Sequence, residues 1–157
     1  MGWQGGRLGS RDATGPGGRV GLIDGAIERL GQGFDSVQSY APVGKHHPWW
    51  TARLDDQGAA HPWEGDVLNH GVYRRQDLPP AHIPDGGVLA VTREALLHQI
   101  EGVAPGPHAF LGAKPGGVVT GSGEVIDIDC RVDPLAADAV LRERAGLKAP
   151  QPTRRWR

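Results

Sequence analysis

Apolar residues at Val20, Ile23, Ile27 and Leu30 recur at intervals of three and four, and Gly31 is placed to stop the pattern. This spacing predicts a helix over residues 20–30, although Gly21 and Gly25 lower its intrinsic propensity. Residues 34–40, centred on Val37 among β-compatible neighbours, predict a strand directly after it. Farther on, the continuous apolar run Val88-Leu89-Ala90-Val91 follows Asp85-Gly86-Gly87 and fits a strand covered on both faces. Thr92 stands as the N-cap of a helix that would bury Leu96, Leu97 and Ile100 and stop at Gly102. Residues 103–117 read as loop, residues 117–120 as a short strand, and Val125-Ile126-Asp127-Ile128-Asp129 as another. Asp133 and Pro134 suit the N-cap and first position of a last helix, with Ala136, Ala137, Val140 and Leu141 on one face and Asp138 and Arg142 opposite. In the middle stretch, residues 41–84, Trp49, Thr51 and Leu54 suggest one strand of a hairpin or arm with a thin core. Helix and strand alternate, which implies an α/β sheet with helices packed on it.

Composition refines this picture at the ends. Glycine (25) and proline (13) make up about a quarter of the 157 residues, so loops are abundant. Residues 1–19 carry seven glycines, Arg7, Arg11 and Arg19 but almost no large apolar side chain, and read as a flexible tail. A phosphate-cradling glycine loop would need a strand before it and a helix directly after it, and no upstream strand is expected. Residues 20–146 then form one α/β domain containing the 41–84 arm, and residues 147–157 a basic, proline-containing tail. A formal net charge of -1 gives no global electrostatic case for nucleic acid or an anionic membrane as partner. The single Cys130 excludes an internal disulfide, no apolar run approaches the roughly 18 residues of a membrane span, and no signal-peptide stretch opens the chain. A cytoplasmic location is the resulting expectation.

Candidate chemistry centres on Asp127 and Asp129. On a strand, residues i and i+2 share a face with Cα atoms roughly 6.5–7 Å apart, so both carboxylates could reach one hard cation or its waters. The expected helix start at Asp133 would leave them near the C-terminal edge of the strand, where ligands sit in open α/β sheets. Acids at a strand end are more often simply solvated. Five histidines, His46, His47, His61, His70 and His82, crowd the middle stretch without metal-ligand spacing and read as surface or packing residues. Trp49, Trp50 and Trp63 could form a sugar or base-stacking platform or a subunit contact. Arg154, Arg155, Trp156 and Arg157 read as a solvated tail rather than a nucleic-acid contact.

Four segments in order resemble the later part of the acylneuraminate cytidylyltransferase family. They are Phe34-Asp35-Ser36-Val37-Gln38-Ser39 after a helix ending Glu28-Arg29-Leu30; His46-His47-Pro48-Trp49-Trp50; Arg75-Gln76-Asp77-Leu78-Pro79-Pro80 followed by Asp85-Gly86-Gly87; and Ile126-Asp127-Ile128-Asp129 with Asp133 behind it. The resemblance covers residues 20–145 and implies a partial Rossmann-like nucleotide-diphosphosugar-transferase fold, a mostly parallel sheet flanked by helices, with an extended arm that makes a homodimer. It implies transfer of CMP from CTP to an acidic nine-carbon sugar such as sialic acid, with release of pyrophosphate. Mg²⁺ would be held by Asp127 and Asp129, which neutralise phosphate oxygens and orient the nucleophile through the ion. Arg75 and Gln76 would contact the sugar acid or a phosphate, the former through its planar fork. Gly86 would serve the close approach of a ligand or a turn.

Two features depart from the family pattern. Asp85 stands where an Asn is usual, adding negative charge beside a site for anions, a mismatch unless a cation or Arg offsets it. The family's opening strand and Gly, Arg and Lys-bearing nucleotide loop have no counterpart, so impaired turnover is expected. Two other classes stay open: a non-catalytic remnant or dimerisation partner binding a sugar acid or a full-length homologue, and a His/Trp-rich carbohydrate-binding module. Without the first strands, Val88-Leu89-Ala90-Val91 is expected to form an exposed sheet edge prone to association.

Overall fold

A computed structural model describes residues 8–10 and 21–147. Within the expected flexible tail at residues 1–19, Leu8–Ser10 form a strand instead; the rest of that tail, residues 148–157 of the expected tail at 147–157, and the expected helical Val20 fall outside the described residues. The described chain is mixed α/β, with strands β1 (Leu8–Ser10), β2 (Ser36–Pro42), β3 (Ala52–Leu54), β4 (Ala60–Pro62), β5 (His82–Val91) and β6 (Pro115–Val119). Its helices are α1 (Leu22–Gly31), α2 (Arg93–Leu96) and α3 (Asp133–Arg144). The fold divides into two compact units, one made of Met1–Ala41 with Pro84–Arg157, the other of Pro42–Ile83.

The first unit holds a four-stranded sheet in the order β1-β5-β2-β6. β2 and β6 run parallel, with Val37 opposite Gly116 and Ser39 opposite Val118, whereas β1 and β5 are antiparallel, with Leu8 opposite Val91. At the ends of the β5–β2 pair, Thr92 N donates to Asp35 O and Val43 N to Ala81 O. Late residues of one strand thus meet early residues of the other, and this pair is antiparallel too. The sheet is therefore mixed rather than mostly parallel. β5 is not an edge: β1 lies on one side and β2 on the other, and Val88, Ala90 and Val91 are buried. The expected exposed edge at residues 88–91 is corrected on that point.

α1 starts at Leu22 because Gly21 takes φ 87, a left-handed conformation that a glycine adopts without strain. Leu22, Ala26 and Leu30 are buried with Val37, Val88 and Ala90 in one cluster, and Ile23, Phe34, Val118 and Val125 pack on its margin. The buried face is therefore rotated from the expected Val20, Ile23, Ile27 and Leu30 line. Ala26, fully buried, has no bulk to mark it in a periodicity of large side chains.

α2 is a single turn capped as expected, with Thr92 Oγ1 accepting from Ala95 N at 3.2 Å. It buries Ala95, while Leu96 and Leu97 are exposed and His98 turns to φ 56 well before Gly102. The expected apolar face at Leu96, Leu97 and Ile100 does not form. α3 likewise buries only Ala137 of its expected face, leaving Leu141 exposed, and closes an Arg142–Asp138 ion pair one turn apart at 2.7 Å.

In the second unit, β3 and β4 form an antiparallel hairpin with Arg53 opposite His61. Asp55 organises its turn: Oδ1 accepts from Gln57 N (3.0 Å) and Ala59 N (2.9 Å), and Oδ2 pairs with His61 Nε2 at 2.9 Å. Trp49, expected on that strand, lies instead in a 3₁₀ turn over Pro48–Trp50.

Candidate functional site

In the first unit, Asp85 and Gly86 lie where β5 runs beside β2, and Asp127 comes near Gly86. Asp85 and Gly86 lie within β5, not in a turn before it. The Asp85 carboxylate is fully engaged: Oδ1 accepts from the Ser39 hydroxyl and from Gly87 N (3.1 Å), and Oδ2 accepts from the Thr120 hydroxyl. Ser39 in turn accepts from Val88 N at 2.8 Å, and Thr120 N donates to Tyr40 O at 2.9 Å. Ser39 and Thr120 are buried, so the carboxylate ties β2, β5 and the end of β6 together through two desolvated hydroxyls. Ser39 closes the first family-like segment and Thr120 the short strand expected over residues 117–120, but neither carried an expected role. The signal was a hydroxyl two residues from the fully buried Val37, on the same inward strand face.

Glycines 86 and 87 allow this convergence. Gly86 has φ 73, and a Cβ there would lie 3.2 Å from Asp127 Oδ2. At Gly87 a Cβ would stand 2.7 Å from Val125 Cγ2, 3.0 Å from Ser39 Oγ and 3.1 Å from Leu22 Cδ2. The Asp85-Gly86-Gly87 and Val125-to-Asp127 segments, distant in sequence, are thus in van der Waals contact.

The acid-bearing segment is not the expected strand. Among the described residues, 125–130 pair with no strand, and Asp127 and Asp129 are exposed. The cause lies in the acids themselves, which capture the amides a ladder would use. Asp127 Oδ1 accepts from Ile128 N at 2.9 Å, and Asp133 Oδ2 accepts from Asp129 N (2.9 Å) and Cys130 N (2.6 Å). Asp133 is accordingly the first residue of α3 rather than its N-cap, which is Val132, and its carboxylate reaches backward. The Cys130 amide above all, then the Cys130 thiol and Asp129 amide, holds the Asp133 carboxyl below its ordinary value of 3.8. Among the described residues, no group of three or more His, Cys, Asp or Glu is disposed to hold a metal ion.

Arg75 and Gln76 belong to the second unit, in an exposed 3₁₀ turn over Arg75–Asp77. Arg75 is in no ion pair among the described residues, and a Cβ on Gly44 would lie 3.7 Å from its Nη2. Behind the turn, His47 is 4 % exposed, and Trp49 stacks on His70 at a centroid distance of 4.6 Å and 15° between planes. His47 was read among the surface or packing histidines; its place as an N-cap immediately before Pro48 was the available cue to a structural role.

No protein-family model matches the chain, and no curated protein matches it. No helix among the described residues is long and apolar enough to cross a membrane.

Proposed function

We propose that this chain serves in a nucleotidyl transfer of the acylneuraminate cytidylyltransferase type, moving CMP from CTP to an acidic nine-carbon sugar with release of pyrophosphate. The observation that supports this reading is the closeness of Gly86 to Asp127, whose Oδ2 would lie 3.2 Å from a Cβ at Gly86, so that two of the four family-like segments adjoin. The donor chemistry suits Mg²⁺, since both Asp127 and Asp129 are exposed carboxylates and Mg²⁺ is commonly held by one or two carboxylates plus substrate phosphates. The ion would offset phosphate charge at the reacting centre. Arg75, through its guanidinium fork, and Gln76, through its amide, would receive the sugar acid and its hydroxyls. Asp85 acts in this reading by positioning: its charge is spent on Ser39, Thr120 and Gly87, which eases the mismatch with an anionic ligand. The finer architecture we propose is a nucleotide-diphosphosugar-transferase-like domain built on this mixed sheet, with residues 41–84 as a homodimer arm, in a cytoplasmic protein. The arm is favoured by Trp63 and Tyr73, which are 64 % and 81 % exposed.

The test is calorimetric titration of the full chain with CTP, Mg²⁺ and N-acetylneuraminate. Binding of CTP in a Mg²⁺-dependent manner, weakened at least about tenfold by Asp127→Asn or Asp129→Asn, is expected from loss of a hard anionic ligand. Binding of neutral sugars alone, with Asp127→Asn silent, would replace this reading with a carbohydrate-binding module.

A further inference from the structure

The turn that carries Arg75 and Gln76 is gripped on both sides by side chains from one short segment. Trp50 Nε1 donates to Val72 O at 2.9 Å, before the turn, and His47 Nε2 contacts Pro79 O at 3.0 Å, after it. Trp49 N donates to His47 Nδ1 at 3.2 Å, so Nδ1 is bare and the ring hydrogen sits on Nε2, pointing at the Pro79 carbonyl. One imidazole therefore does two things: it caps the Pro48–Trp50 turn that carries Trp50, and it holds the far end of the 72–79 stretch. Inside that stretch only two turn bonds form, Asp77 N to Arg74 O (3.1 Å) and Leu78 N to Arg75 O (3.3 Å), and residues 73–77 are exposed. A stretch so poor in internal contacts samples many conformations unless its ends are fixed.

We infer that His47 and Trp50 are positioning residues that keep the Arg75–Gln76 turn preformed for a planar anionic group. The identity of that group as the carboxylate of an acidic sugar rests on the proposed function; the clamp itself does not. Fixing the turn before binding removes an ordering cost that the ligand would otherwise meet.

Two substitutions separate the roles of the ring. His47→Asn keeps an acceptor near the Nδ1 position, and so the cap, but cannot reach Pro79. His47→Gln keeps a donor near the Nε2 position and loses the cap. In the full chain, NMR-detected amide exchange at Asp77 and Leu78 should rise about five- to tenfold in His47→Asn, and also in Trp50→Phe, which deletes the indole donor and keeps an aromatic ring. It should stay within about twofold of the parent in His47→Gln, and the Ala52–Leu54 amides should not change in any variant. Unchanged exchange in His47→Asn and Trp50→Phe, or a rise spread equally over the hairpin, overturns the clamp. Affinity for N-acetylneuraminate should fall by a similar factor in His47→Asn and Trp50→Phe and hold in His47→Gln. If the variants show the exchange pattern but the parent chain does not bind the sugar, the functional reading fails while the clamp stands.

Discussion

Gly87 stands in a crowded position at the centre of the first unit. A methyl group there would press on Val125, Ser39 and Leu22 at once, from three different segments, so no single neighbour can yield. Gly87→Ala is expected to lower unfolding stability by about 1–3 kcal/mol, the range for overpacking, in urea titrations of the purified chain. Two residues earlier, Asp85 presents a contrast between shape and charge. An Asn there would let Oδ1 keep the Ser39 and Gly87 bonds, while Nδ2 donates to Thr120 Oγ1 and the Thr120 hydroxyl turns to Tyr40 O, already within 3.2 Å. Asp85→Asn should therefore be nearly neutral in the same titration, whereas Asp85→Ala, which removes the shared acceptor of two buried hydroxyls and of the Gly87 amide, should cost about 1–3 kcal/mol. Equal losses for both would mean that charge rather than hydrogen-bond count holds the strands. The sequence marked Asp85, Gly86 and Gly87 as a unit, yet the hydroxyls that answer Asp85 could not be read from it, because they lie on β2 and just past β6 and only the sheet order makes them neighbours.

Among the elements, legibility followed side-chain size and local hydrogen bonding. α1, β2 and β5 were foreseeable from apolar spacing, and the Thr92 cap from its chemistry. The faces of α1 and α2 were misplaced because Ala26 and Ala95 are among the buried residues and the spacing of larger side chains does not reveal them, whereas the buried Ala137 lies on the face expected of α3. The acid-bearing segment failed as a strand for an electrostatic reason, since Asp127 and Asp133 take the amides of residues 128–130. That capture titrates. With its folded pKa depressed, the Asp133 carboxylate supports the start of α3 at and above the ordinary carboxylate value of 3.8, and that support is lost as pH falls through its lower folded value. In an NMR acid titration the Asp129 and Cys130 amide shifts should move together, with a midpoint below 3.8. Asp55 is depressed in the same sense, by His61 first and then the Ala59 amide, so the β3–β4 turn should loosen over the same acid range. Asp55→Asn should remove that acid transition from the Gln57 and Ala59 amides; its persistence would assign the transition elsewhere.

For the whole molecule, the contrast between its two units sets the expected behaviour in solution. The first has a contiguous apolar cluster; among the residues of the second, His47 alone is buried, while Leu54, Trp63, Val67, Leu68 and Tyr73 stand exposed. Light scattering should show association that rises with concentration and falls in a Trp63→Ser, Tyr73→Ser double variant; a concentration-independent monomer would remove the support for a homodimer arm. The unpaired state of residues 125–130 has a further thermodynamic consequence for the proposed reaction. No ladder fixes the spacing of the Asp127 and Asp129 carboxylates, so an ion binding alone must order the segment in exchange for two protein oxygens. Phosphate oxygens that complete its coordination would share that cost, and linkage makes the effect mutual: Mg²⁺ should tighten CTP by the same factor as CTP tightens Mg²⁺. The metal corner would then work as a conditional site, silent to the ion until the nucleotide arrives.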